Sequence, residues 1–154
     1  MRLQDFIADS AKQAAQEMFR YARSVPADKL DWAPEGGRST MSMVREIGMT
    51  PTWTMAAFGE MEWNEDAFAN QQKEMESWAT VDACEEQFNQ RFEAVDKFFR
   101  EMKDEDFSKT RWLPYNGGRD HTFLEMTDYP RWNANYHTGQ IAYIQILLGD
   151  KEMH

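Results

Sequence analysis

Apolar residues recur along most of the chain at spacings of three and four positions, the period of a helix with one buried face. This pattern predicts a first helix that ends near residue 24 and a second that begins near Ser39 or Thr40. A third stripe repeats at heptad spacing from Val81 to Met102, and Thr80 can cap its first turn. The chain is therefore predicted to be mainly helical.

A fourth helix is predicted near the end of the chain. Thr122 and Glu125 have the spacing of a capping box, and Gly149 suits the position just after the last helical turn. Two prolines lie inside helical patterns. Pro51 is expected to kink the second helix without ending it, because the apolar spacing resumes after it. Pro130 marks either a bend or a late start of the fourth helix.

The segments between these helices are modest in length. Residues 61–79 predict a connection with one short helix, and the Asn116-Gly117 pair predicts a turn, with a small hairpin as one reading. We find no internal repeat and no interdomain linker, so we expect a single domain over residues 1–154. Four amphipathic helices predict an all-α, up-down four-helix bundle, whose sites are built inside from facing helices.

The charge balance limits the partners of the protein. With 17 basic and 27 acidic residues, the net charge is −10, which repels phosphate backbones and anionic membrane faces. We therefore expect neither nucleic acid nor a membrane as a partner. No signal peptide and no transmembrane stretch is expected. The single cysteine, Cys84, predicts a buried, unreactive thiol and fits a reducing, cytoplasmic location.

The candidate chemistry lies on the fourth helix. Asn133 and His137 are four positions apart, so both lie on one helix face and can share a metal ion. A plain hydrogen bond between the two side chains in the bundle core would give the same pattern. His121 is expected on the surface or in a loop. Gly139 is expected to let a neighbouring backbone approach, and Gln140 to bond a nearby carbonyl.

Two segments carry a family resemblance. The segment "NANYHTGQIAYIQILLG" resembles the C-terminal signature of the DinB-like superfamily, His-x-x-x-His-x-Gly-Gln-Ile followed by an apolar helix that ends in glycine. The segment "VPADKLDWAPEGGRSTMSMVREIGMTPTW" also looks like the loop and second helix of that family. The resemblance extends from Leu3 to Gly149 and implies a DinB-like four-helix bundle.

The resemblance also implies a divalent metal, commonly nickel or zinc, held by one histidine of the second helix and two of the fourth. In this chain those positions correspond to Glu46, Asn133 and His137. Such a set is harder than three imidazoles and suits manganese, iron(II) or magnesium better. Two alternatives remain open: a hydrogen-bonded Glu46–His137 pair without metal, or a Glu46 that faces solvent beside Arg45.

Two functions follow from the resemblance. The first is a metal-dependent enzyme related to transferases that add low-molecular-weight thiols to electrophiles, with a small molecule or thiol as its ligand. The second is a non-catalytic bundle that binds a small molecule or is associated with stress, without bound metal. A homodimer is expected in either case.

Overall fold

The computed structural model describes residues 1–61 and 64–154, so Glu62 and Trp63 of the predicted connection lie outside the described residues. Five α-helices and one hairpin are present in these ranges. They are α1 (Leu3–Ser24), α2 (Thr40–Phe58), α3 (Glu65–Ser77), α4 (Val81–Glu101), β1 (Thr110–Leu113), β2 (Arg119–Thr122) and α5 (Phe123–Leu147). Within the same ranges, no helix has both the length and the hydropathy that crossing a membrane demands.

The helix ends follow the capping signals of the sequence. The Ser39 hydroxyl accepts a hydrogen bond from the backbone N–H of Ser42 at 3.2 Å and so begins α2. Thr122 and Glu125 form the predicted capping box at the start of α5. Because α5 begins at Phe123, the late start at Pro130 is wrong, and both prolines lie inside continuous helices.

The connections also agree with the prediction in outline. The short helix predicted within residues 61–79 is α3, and β1 pairs with β2 in an antiparallel hairpin. The turn between the two strands contains Gly117 and Gly118, both at positive φ (87° and 78°), a backbone region that favours glycine. The hairpin leads directly into α5.

The all-α four-helix bundle is confirmed, with α1, α2, α4 and α5 as its helices. Helix α1 packs against α4 and α5, and α2 packs against the same two helices. The directions do not alternate at every step of the chain. Helix α2 is antiparallel to α5, whereas α4 runs in the same direction as α2, because α3 carries the chain back before α4 begins.

The glycine that permits close packing in the bundle is not the one expected. Gly139, predicted to permit a close backbone approach, has open space where a Cβ would be, so that prediction is wrong. Gly48 meets this need instead. A Cβ there would lie 2.8 Å from the Trp78 ring and 3.1 Å from the Cys84 carbonyl oxygen. Cys84 is fully buried, as expected, and its burial raises the pKa of the thiol to about 11.

Candidate functional site

The three candidate residues meet at the contact between α2 and α5. His137 Nε2 lies 3.1 Å from Glu46 Oε1, and Asn133 Nδ2 donates a hydrogen bond to the same oxygen at 3.1 Å. Asn133 and His137 are 3% and 2% exposed, so both side chains belong to the interior. The structure thus brings together all three residues, and the solvent-facing alternative for Glu46 is wrong.

Thr50 fixes the amide of Asn133 from the next turn of α2. Its hydroxyl donates a hydrogen bond to the Glu46 backbone carbonyl at 2.9 Å and accepts one from Asn133 Nδ2 at 3.2 Å. The spacing of four residues puts Glu46 and Thr50 on one face of α2, as it does for Asn133 and His137 on α5. The amide nitrogen of Asn133 therefore points toward α2.

The imidazole of His137 is held at both ring nitrogens. Its Nδ1 lies 2.6 Å from Gln140 Oε1, one turn further along α5, while Nε2 faces Glu46 Oε1. A carboxylate only accepts hydrogen bonds, so the N–H of the contact with Glu46 belongs to Nε2 of His137. The ring is thereby oriented as a hydrogen-bond donor to the carboxylate.

Arg38 completes the cluster from the loop before α2. Its Nη1 lies 2.5 Å from Glu46 Oε2, and its Nη2 donates a hydrogen bond to the Ser42 carbonyl at 3.3 Å. Burial disfavours the charged form of Glu46. The hydrogen bonds and positive charges of His137 and Arg38 outweigh this effect and hold the pKa of Glu46 at about 2. Glu46 is therefore a carboxylate at neutral pH.

A cavity of about 600 Å³ opens beside this cluster. Its walls come from α2, α3, the hairpin and α5, and they are mostly aromatic or aliphatic. The lining residues include Trp53, Phe68, Leu113, Met126, Tyr129 and Trp132. The volume lies within the range of about 300–1,000 Å³ that small-molecule sites occupy.

The cavity and the cluster share a border. Tyr129 lines the cavity, and burial together with the nearby charge of Glu46 raises the pKa of its hydroxyl. Thr54 also lines the cavity, one turn after Thr50 on α2. A second cavity, of about 390 Å³, borders the same cluster through Arg38 and Gln140. The cluster therefore lies next to two cavities along the α2–α5 contact.

Comparisons with known proteins agree with this architecture. A sequence model described as the DinB superfamily matches residues 11–141, most of the chain. The chain belongs to the DinB superfamily. No curated protein matches it. The solved structure of YfiT from Bacillus subtilis, described as a probable metal-dependent hydrolase with an unusual four-helix bundle topology, is similar, with a TM-score of 0.75 and 12% identity. The similarity covers 98% of this chain and 91% of that one, and it shows the shared fold.

The donor set of this DinB superfamily member does not fit a resident divalent ion as it stands. A metal needs free lone pairs, yet Asn133 presents its N–H₂ group and His137 presents an N–H to Glu46. Arg38 occupies the other carboxylate oxygen. Within residues 1–61 and 64–154, no group of three or more His, Cys, Asp or Glu side chains is arranged to hold a metal. The assignment of Glu46, Asn133 and His137 as ligands stays a prediction.

Several contributors were not found from the sequence. Arg38 lies in a loop, and the only hint was that a buried carboxylate requires a positive partner. Gln140 contacts His137 and not a carbonyl, as the spacing of three residues on one helix could have indicated. His121 was placed on the surface or in a loop, but it is half-buried in β2 and lines the larger cavity.

Proposed function

We propose that this protein binds a small, uncharged, partly aromatic molecule in the larger cavity and performs no metal-dependent chemistry there. The observation that carries this proposal is the aromatic cavity of about 600 Å³ beside a cluster whose charges are already paired. Apolar and aromatic walls with few polar groups are typical of sites for small organic ligands.

The charges at the cavity wall support an uncharged ligand. Arg119 Nη2 pairs with Glu125 Oε1 at 2.8 Å, and Arg131 Nε pairs with Asp128 Oδ1 at 2.7 Å. An ionic ligand would have to compete with these pairs. The hydroxyl of Tyr129 makes no hydrogen bond to any other described residue and can pair with one polar group of the ligand.

A fluorescence titration with a panel of small neutral aromatics, such as phenols and indoles, tests this function. Ring contact with Trp53 and Trp132 is expected to quench or shift the tryptophan emission at micromolar concentrations. Trp132→Ala is expected to weaken binding at least ten-fold, because it removes one aromatic wall. Trp112→Ala is the matched control, since Trp112 is similarly exposed (59% against 53%) but does not line the cavity. Equal losses in both variants would contradict the assignment.

A metal-dependent enzyme is the second candidate, either a hydrolase like the description of YfiT or a thiol transferase. One observation favours it: Glu46 and His137 converge from two helices, as paired ligands would. The test is metal analysis by plasma emission of protein purified without an affinity tag, repeated for His137→Ala. Stoichiometric metal that is lost in the variant supports the enzyme. No binding with excess manganese, nickel or zinc supports the binding protein.

We also propose that the protein forms a homodimer. The outward face of α5 is the proposed interface. Trp132, Tyr136, Tyr143 and Ile146 are each 53–59% exposed on that face, and residues 132–149 contain no Asp, Glu, Lys or Arg. Gly139 lies midway between the Trp132–Tyr136 pair and the Tyr143–Ile146 pair, so two antiparallel copies of α5 would place each pair against the other. Light scattering should report a dimer for the native protein and a monomer for Tyr143→Arg. A native monomer would contradict this.

A further inference from the structure

Three side chains of the polar cluster converge on one carboxylate. Glu46 Oε1 faces Asn133 Nδ2 and His137 Nε2, each at 3.1 Å, and Oε2 faces Arg38 Nη1 at 2.5 Å. The side chain of Glu46 is 20% exposed, so it is largely withdrawn from solvent. A carboxylate in this position requires nearby positive charge, because water cannot stabilise it fully.

Arg38 is positioned to supply that charge permanently. A guanidinium stays protonated at all physiological pH values, and its planar shape matches a carboxylate. The loop that carries Arg38 is fixed directly beside α2, because Ser39 caps the helix and Arg38 also bonds the Ser42 carbonyl. The cation is therefore held by the fold at the carboxylate and does not depend on a bound ion.

The Arg38–Glu46 contact also limits the access of a metal ion to the cluster. A divalent ion between α2 and α5 would need a carboxylate oxygen of Glu46 together with lone pairs from positions 133 and 137. Arg38 blocks one carboxylate oxygen sterically, and its positive charge repels a second cation at a distance of a few ångströms. The amide at position 133 adds a weak ligand at best.

We infer that Arg38 is the built-in cation of the α2–α5 contact: it neutralises Glu46 in the place of a metal ion and excludes divalent metals from the cluster. This inference concerns the cluster alone and does not depend on which molecule the adjacent cavity binds. It predicts a latent metal site, which should appear when Arg38 loses its charge and position 133 gains an imidazole.

The test is a calorimetric titration of Zn²⁺ and Ni²⁺ into four proteins: the native chain, Asn133→His, Arg38→Gln and the double variant. We expect weak binding by the first three and a dissociation constant at least ten-fold lower for the double variant than for Asn133→His. Arg38 is 43% exposed and lies in a loop, so the substitution should lower stability without preventing folding, which circular dichroism checks.

Two further double variants separate charge from other causes. Arg38→Lys with Asn133→His retains a cation and should bind metal no more than about three-fold better than Asn133→His alone. Arg23→Gln with Asn133→His removes an arginine of α1 that pairs with Asp82 and Glu85 of α4, and it should likewise bind weakly. A gain in the Arg23 variant equal to that of Arg38→Gln would show a general charge effect and overturn the inference.

Two other outcomes also overturn it. If Asn133→His alone binds zinc as tightly as the double variant, Arg38 does not exclude the metal. If the double variant binds no better than the native chain, the three side chains do not converge on a cation. Neither result would affect the fluorescence titration of the larger cavity, so failure of this inference is distinguishable from failure of the proposed function.

Discussion

The contact between α1 and α4 differs from the contact between α2 and α5 in where its charged and polar side chains lie. Between α1 and α4, the interior is aromatic: Phe19 meets the edge of Phe88, and Phe88 stacks on Phe92. Its charged groups lie at the rim, where Arg100 is 34% exposed. Between α2 and α5, a carboxylate and an imidazole lie inside.

The difference shows where chemistry can reside in this bundle. Rim charges are stabilised by water and contribute little to stability, whereas the interior charges of the α2–α5 contact must satisfy one another. Such an arrangement costs desolvation energy that an apolar contact avoids. The polar contact is also the one that borders both cavities, which is consistent with a ligand-binding role for this side of the molecule.

The largest effect should come from breaking the aromatic contact. Phe88→Ala removes a ring that is 1% exposed and packs between Phe19 and Phe92. We expect a loss of about 3–5 kcal/mol in the free energy of unfolding, measured with urea. Phe6→Ala is the control, because its ring is 55% exposed, and it should change stability by less than about 1 kcal/mol. Similar losses in both variants would contradict the described packing.

The next effect concerns the polar contact. Glu46→Ala leaves His137 Nε2 and one of the two N–H groups of Asn133 without their acceptor in the interior, so we expect a loss of about 2–4 kcal/mol. Glu35→Ala removes an exposed carboxylate as a control and should have little effect. A double-mutant cycle with His137→Ala should show coupling, because the two residues share one hydrogen bond. Strict additivity would indicate that they do not interact.

The stability of the polar contact should depend on pH. The folded-state pKa of Glu46, about 2, lies below its ordinary value of 4.5, so its stabilising contribution is complete above the ordinary value and is lost as the pH falls toward 2. Native protein and Glu46→Gln should therefore differ by an amount that is constant above pH 5 and shrinks at lower pH. Urea unfolding between pH 6 and pH 3 measures this. A pH-independent difference would contradict the depressed pKa.

The smallest effect should come from the rim of the aromatic contact. Arg100 pairs with Asp5, Asp9 and Asp96, all partly exposed. Arg100→Ala should cost less than about 1 kcal/mol, and added salt should reduce the loss further, because solvent ions screen exposed pairs. A loss of several kcal/mol in the free energy of unfolding that does not change at 1 M salt would contradict this. It would mean that the Arg100 network stabilises the bundle as strongly as a buried network.

Local signals in the sequence were sufficient to predict the helices. They were not sufficient to predict every residue that contacts Glu46. Thr80 and the Thr122–Glu125 box specify helix starts through bonds to residues three positions away, so periodicity and capping alone locate these elements. Arg38 reaches Glu46 from the loop before α2, where the spacing rules of a helix do not apply. The placement of such a residue depends on how the loop packs, which pattern analysis does not show.

The three candidate residues lie together as the sequence indicated, whereas their role as metal ligands stays a prediction. Asn133 and His137 share a helix face by spacing, and their contact with Glu46 came from the family resemblance. The orientation of the Asn133 amide, with its N–H₂ toward Glu46, depends on Thr50 and was not visible in the sequence. That orientation decides whether the group donates hydrogen bonds or coordinates a metal.

Diffraction at the zinc absorption edge, from crystals grown with excess zinc, shows whether Arg38 keeps divalent metals out of the α2–α5 contact. We expect no anomalous peak between α2 and α5, with Arg38 Nη1 still within hydrogen-bonding distance of Glu46 Oε2. A full-occupancy peak bound by Glu46 and His137, with Arg38 displaced into solvent, would contradict it.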